Sequence, residues 1–201
     1  VQAICEVITD LIPRLGFNPA SDVQVLCPMT RGVVGTRNLN TVLQQLINPP
    51  SADKVEINRG GMTLRVGDRV IQQMNDYQRE VFNGDLGIIT DIDTVEQEVA
   101  VQYGGRSVVY DYADLNEITL AWSVTIHKSQ GSEYPVVILP LYMQHYMMLS
   151  RNLFYTGLTR AKKLAIVVGA KKAISLAVRS TDDQRRYTRL RSRLVVAQLR
   201  S

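Results

Sequence analysis

Cysteine, histidine and tryptophan are scarce in this chain: two, two and one in 201 residues. Cys5 and Cys27 make no disulfide framework and their spacing matches no zinc pattern, so two buried structural thiols are expected. His127 and His145 have no cysteine or second histidine at ligand spacing, which argues against zinc and against any metal site. No apolar run is long enough to cross a bilayer. The first residues lack a charged stretch followed by an apolar core and a cleavage site. The reading is a soluble, cytoplasmic protein with no membrane partner. Internal repeats and low-complexity tracts are absent. So is any phosphate-cradling loop of the pattern G-x-x-x-x-G-K-[ST], which leaves the 201 residues without that type of nucleotide cradle.

What is present is an ordinary globular composition, 45% hydrophobic and 21% charged, enough for one large domain or two small ones. The net charge of +4 is unevenly spread. From Lys171 to Ser201 nine basic residues face two acids, Asp182 and Asp183, so this end carries about +7 and the preceding body about −3. A polyanion contact and a solvated helix face both account for such a tail. At the other end Ile4, Val7, Ile8, Leu11 and Ile12 share one helical face that starts without a cap, as expected of a piece cut from a longer protein.

Hydrophobic periodicity divides the chain. Val23–Cys27 is a short β-rich run ended by Pro28. After the loop from Met29 to Gly35, Thr36 is a candidate cap for a helix with Leu39, Val42, Leu43, Leu46 and Ile47 on one face. From about Met62 to Glu117 short strand patterns take over: 69–74, 86–92, 99–103 and 106–110. Gly104-Gly105 joins the last two as a tight-hairpin signal. A strand over 136–139, a helix capped by Ser150 and a strand over 164–168 then restore the α/β pattern. The organisation expected is an α/β domain made of 1–61 and 118–201, with a small antiparallel β-barrel, 62–117, inserted into it. Tyr103, Tyr110 and Tyr112 in the insertion either fill the barrel core or stack on bases, with core packing favoured.

Two short runs concentrate polar chemistry. Thr125, His127, Lys128, Ser129 and Gln130 precede Gly131, and small hydroxyls, an imidazole, an ammonium and an amide suit the sugar-phosphate backbone of a single strand. Glu133 could accept from a ribose hydroxyl, or simply be a surface acid. Tyr155 to Ala161 sets Arg160 on a helix among small residues, where a positive charge can meet a transferring phosphoryl group. Arg31, in a glycine-containing loop after a strand, is a second phosphate contact or a solvated arginine. His145 lies in a Met-rich stretch and reads as a packed loop residue.

These motifs, in this order, resemble the C-terminal part of a RecD-like superfamily 1 DNA helicase, the type also called exodeoxyribonuclease V alpha subunit. Val25 to Gly32 resembles its motif IV, Gly67 to Gly87 the opening of its SH3-like barrel, Thr125 to Glu133 its motif V and Tyr155 to Ala161 its motif VI. The resemblance implies a RecA-like second motor lobe with an inserted SH3-like barrel. Arg160 would be the arginine finger and Arg31 a second catalytic arginine. Gly131, Glu133 and Arg160 would meet ATP, with Mg²⁺ and most phosphate contacts supplied by a first lobe outside this chain. Thr125, His127, Lys128, Ser129 and Gln130 would contact single-stranded DNA. It further implies 5′ to 3′ unwinding in recombination or repair, with other subunits as possible partners, and a fragment inactive by itself. The helicase part of a conjugative relaxase shares these motifs, and a silent protein-interaction module built on the barrel is the alternative of another class.

Overall fold

The computed structural model describes residues 1–180; the basic tail beyond Ser180 lies outside the described residues. The first helical segment runs through α1 (Gln2–Glu6), a π-helical turn (Val7–Leu11) and α2 (Ile12–Arg14). Ile4, Ile8 and Ile12 point into the core, but Leu11 faces solvent at 40% exposure, because the π turn rotates it off the apolar face. Gly16 at φ +79° ends the segment.

One sheet is four-stranded and parallel, with the strand that starts at Val23 between those that start at Tyr134 and Ser123, and the strand that starts at Ala161 outside the Tyr134 strand. Its strands are β1 (Val23–Cys27), β9 (Ser123–Thr125), β10 (Tyr134–Leu141) and β11 (Ala161–Gly169). β1 and β10 are buried almost throughout, which is why both read as near-continuous apolar runs rather than alternating ones, broken in β1 only by the buried Gln24, which donates to the Ala121 carbonyl. After β1, α3 (Thr36–Ile47) packs beside β9. Its N-cap is Gly35, not Thr36. The preceding loop closes so tightly that a Cβ at Gly35 would sit 2.3 Å from the Arg31 carbonyl oxygen. After β10 come a 3₁₀ turn (Met143–Met148), α4 (Arg151–Leu158), β11 and α5 (Lys171–Arg179). Ser150 caps α4 as expected, its Oγ accepting from the Leu153 N–H at 3.2 Å.

Between α3 and β9 lie a hairpin and a five-stranded antiparallel sheet. The hairpin, β2 (Glu56–Arg59) with β3 (Met62–Arg65), turns on Gly60 and Gly61 at φ +57° and +77°. That is the double positive-φ turn expected at Gly104-Gly105, where only Gly104 is left-handed. The five strands β4 (Arg69–Gln72), β5 (Leu86–Asp93), β6 (Glu98–Tyr103), β7 (Arg106–Asp111) and β8 (Ile118–Leu120) pair in the order β7–β6–β5–β4–β8. A 3₁₀ turn, Tyr112–Glu117, touches both outer strands. The expected boundary at 61/62 falls inside the hairpin turn, and β8, beyond 117/118, pairs with β4. Tyr103 and Tyr110 are core residues: their hydroxyls lie 3.0 Å apart, and Tyr110 donates on to Gln72 Oε1 at 2.9 Å. Cys27 is buried and Cys5 half-buried, both as free thiols.

One apolar core runs from the parallel sheet (Val25, Val136, Ile138) into the barrel (Val70, Ile89, Val99). Asp68 and Arg69 rivet the junction. Asp68, fully buried, accepts from Gln44 of α3, from Asn48 at its C-terminal end and from the Arg65 N–H. Burial pushes its carboxyl pKa up, against the pull of these three donors. Arg69 donates to the carbonyls of Val23 and Ala20 on the sheet side, and burial lowers its guanidinium pKa. At the outer edge, Leu141 pairs with Gly169, where a Cβ would stand 1.8 Å from the Leu141 carbonyl oxygen. Gly169→Ala is therefore expected to cost about 1–3 kcal/mol, because the obstacle is backbone and cannot rotate away; urea unfolding of the variant measures it.

Candidate functional site

The run from Thr125 to Ser132 is one nested set of turns. Ser129 N–H donates to the Thr125 carbonyl at 3.2 Å, Gln130 N–H to His127 at 3.3 Å and Ser132 N–H to Ser129 at 3.0 Å. Lys128 N–H donates to Thr125 Oγ1 at 3.3 Å. Gly131 takes φ +87°, which lets the chain swing back towards β10. Ser129 is fully buried and its Oγ donates to the Ile126 carbonyl at 2.8 Å, so its side chain is directed into the turn itself. The remaining polar residues divide between two grooves. Thr125 and Lys128 line one of about 960 Å³, bounded by α3, the β2–β3 turn, the barrel and β9. His127 and Gln130 line another of about 610 Å³, against the 3₁₀ turn at Met147 and against Thr156 of α4.

Among the described residues, the larger groove gathers three cations, Arg37, Arg59 and Lys128, and no carboxylate. Arg37 comes from the first turn of α3; Arg59 ends β2 and its guanidinium lies 4.7 Å from the Tyr112 ring centre. Neither arginine is singled out by sequence. They are 22 positions apart and meet Lys128 only because the hairpin folds back over α3.

Arg160 lies past the end of α4, in the turn before β11, and not on the helix as expected: α4 stops at Leu158. Its guanidinium is half-buried and held by its own lobe. Nε donates to the Thr156 carbonyl at 3.3 Å, one terminal nitrogen to the Ser132 carbonyl at 3.2 Å and the other to Thr159 Oγ1 at 3.3 Å. Its carbonyl in turn accepts from Tyr134 N–H at 2.8 Å. Arg160, Gly131 and Glu133 are thus brought together at the leading ends of β10 and β11. Glu133 is more than half exposed and pairs with Lys162 at 3.4 Å, a solvated contact worth little.

Arg31 does not join them. It follows β1 at the trailing end of the sheet, where Gly32 lies beside Gln144, three residues past β10. With Val25 opposite Ile138 and Tyr134 opposite Ala161, the two arginines leave opposite ends of strands about 20 Å long. Arg31 is exposed and makes no side-chain hydrogen bond or ion pair among the described residues, and the sheet sets it apart from Arg160.

His145 is fully buried. Its Nδ1 accepts from Tyr142 N–H at 3.3 Å, and its Nε2 lies 3.3 Å from the Val34 carbonyl oxygen and 3.0 Å from the Gln144 amide nitrogen. Burial lowers its pKa. A histidine whose folded pKa lies below its unfolded value stabilises the fold fully above about 6.5, and this is lost as pH falls from there through the folded pKa. Unfolding midpoints are expected to drop between pH 7.5 and pH 5, with the slope reduced in His145→Gln.

Two family models match the chain: the ATP-dependent RecD-like DNA helicase SH3 domain over residues 39–103, and the UvrD-like helicase C-terminal domain over residues 120–168. Among solved structures, the fold is shared with a Bacteroides Pif1 helicase in complex with ADP-AlF3 and ssDNA (TM-score 0.57, 19% identity, 89% of this chain and 47% of that one). A Bacteroides Pif1 bound to ssDNA is similar (TM-score 0.52, 17% identity, 83% and 45%). The parallel sheet and the inserted barrel therefore have a RecA-like fold carrying an SH3-like domain, the class of fold found in the C-terminal regions of helicases.

Within that class the chain belongs to the RecD-like family. It is 40% identical over 155 residues to the ATP-dependent RecD2 DNA helicase of Deinococcus radiodurans, covering 77% of this chain and 21% of that protein. It is 31% identical over 176 residues to the RecBCD enzyme subunit RecD of Mycolicibacterium smegmatis, covering 85% and 29%. The chain thus spans between a fifth and a third of the length of these relatives. No helix among the described residues is long and apolar enough to cross a membrane.

Proposed function

We propose that this chain is the second motor lobe of a cytoplasmic, ATP-dependent 5′ to 3′ DNA helicase, completing an ATP site whose phosphate loop lies on a first lobe. The observation that carries this is the hydrogen bond from Arg160 to Ser132. One eight-residue segment holds the arginine at its Ser132 end and lines the cationic groove at its Thr125–Lys128 end. Arg160 would supply positive charge to the transferring phosphoryl group, Glu133 would accept from the ribose, and Gly131 would let the backbone approach the nucleotide. Mg²⁺ neutralises phosphate charge in such reactions; the described residues gather no cluster of three or more carboxylate, histidine or cysteine ligands, so we assign its ligands to the first lobe.

The single strand would follow the larger groove, its phosphates meeting Lys128, Arg37 and Arg59 and its sugars the Thr125 hydroxyl. A lining with three cations and no carboxylate among the described residues supports a polyanion there, and such contacts position a strand without reading its bases. His127 and Gln130 would meet strand or nucleotide through the second groove. ATP turnover by the full-length parent, with and without oligo-dT, tests the reading: turnover that ignores single strands overturns it.

A further inference from the structure

We propose that Gln73, on the barrel, is a positioning residue for Lys128: it aims the ammonium group into the groove and so makes the barrel part of the grip on the strand. The inference rests on the single-strand reading of that groove. Lys128 Nζ donates to Gln73 Oε1, a side-chain contact between segments 55 positions apart. Both residues line the groove. A lysine stem has four rotatable bonds, and an untethered ammonium spends most of its time away from any one phosphate. The partner is an amide, which orients the charge without neutralising it; a carboxylate in that place would cancel the charge the strand needs.

Gln73 is itself well anchored. Its N–H donates to the Glu117 carbonyl at 2.6 Å. Its neighbour Gln72 is fully buried, donating to Glu117 Oε2 at 3.1 Å and accepting from Tyr110 at 2.9 Å. The other end of the contact is equally fixed, through the Lys128 N–H bond to Thr125 Oγ1. Half-burial of Lys128 lowers its pKa, which agrees with an ammonium that gains by meeting a phosphate.

The test is binding of oligo-dT to the full-length parent across a series of salt concentrations. Each phosphate neutralised on a single strand adds about 0.7 to the slope of log K against log salt. Lys128→Ala is expected to lower the slope by that amount. Gln73→Ala should keep the slope and weaken binding about threefold to tenfold, the worth of one hydrogen bond. Gln73→Glu should lower the slope by about 0.7, because the new ion pair masks Lys128, and should lower it no further in the Lys128→Ala background. Gln73→Met, of similar length but without the hydrogen bond, repeats the Gln73→Ala measurement if alanine loosens the barrel edge. Wild-type affinity in both Gln73→Ala and Gln73→Met overturns the proposal. So does an undiminished effect of Gln73→Glu without Lys128, which would mean that the carboxylate repels the strand directly. A slope untouched by Lys128→Ala sinks the groove reading itself, and the two failures are thereby told apart.

Discussion

Arg160→Ala in the full-length parent is expected to lower single-strand-stimulated ATP turnover by about 10³-fold or more, with nucleotide binding largely kept. The loss is that large because phosphoryl transfer offers little covalent chemistry for side chains; catalysis comes from charge placed where the transition state develops it. Arg160 is suited to this by how it is held. Its three nitrogens rest on the Thr156 and Ser132 carbonyls and on Thr159 Oγ1, all within its own lobe. No carboxylate pairs with it among the described residues, so its charge is not cancelled. Arg160→Lys is expected to recover little, since a single ammonium cannot span those acceptors and also reach outward. Unchanged turnover in Arg160→Ala would make this arginine a clip between Ser132 and Thr156, and the barrel would then become the place to look for function.

Much of the architecture is legible in the sequence because burial on both faces leaves an unambiguous mark. Val23–Cys27 is apolar but for Gln24 and the core of β10 is apolar throughout, while β5, β6 and β7 largely keep the alternation of a half-buried sheet. β2 is not legible: Glu56–Arg59 carries two charges and an asparagine and is mostly exposed, since it pairs only with β3. The site is legible in its parts and not in its assembly. Arg160, Glu133 and the Thr125–Gln130 run stand out by residue type. Which end of a parallel sheet a loop leaves from is a property of topology, and this is what parts Arg31 from Arg160. Burial likewise decides that Ser129 shapes a turn while Lys128, beside it, lines a groove. Arg37, Arg59 and Gln73 carry no local signal, because each owes its place to a partner far away in the chain.

The junction between sheet and barrel gives the largest expected effect on stability. Asp68→Ala is expected to cost about 3–5 kcal/mol, since it removes an acceptor shared by three buried donors and water cannot replace it. For a domain of this size each kcal/mol moves the thermal midpoint by roughly 2–4 °C, so the loss is plain in a melting curve. Asp68→Asn should cost less. It keeps one oxygen and sheds the burial penalty of a carboxylate, but it turns an amide N–H towards the Asn48 or the Gln44 amide. Asn48 cannot flip to accommodate it without giving up its contacts to Val66 and Lys54. The consequence reaches the groove, because Gln44 lines it and Asp68 sets how α3 and the barrel face each other across it. At temperatures where Asp68→Asn remains folded, oligo-dT affinity is therefore expected to fall while the salt slope holds, since every phosphate-facing cation is still present. A melting midpoint near wild type in Asp68→Ala would show that the shared apolar core alone holds the barrel, and a lower slope in Asp68→Asn would show that the groove itself has lost a contact.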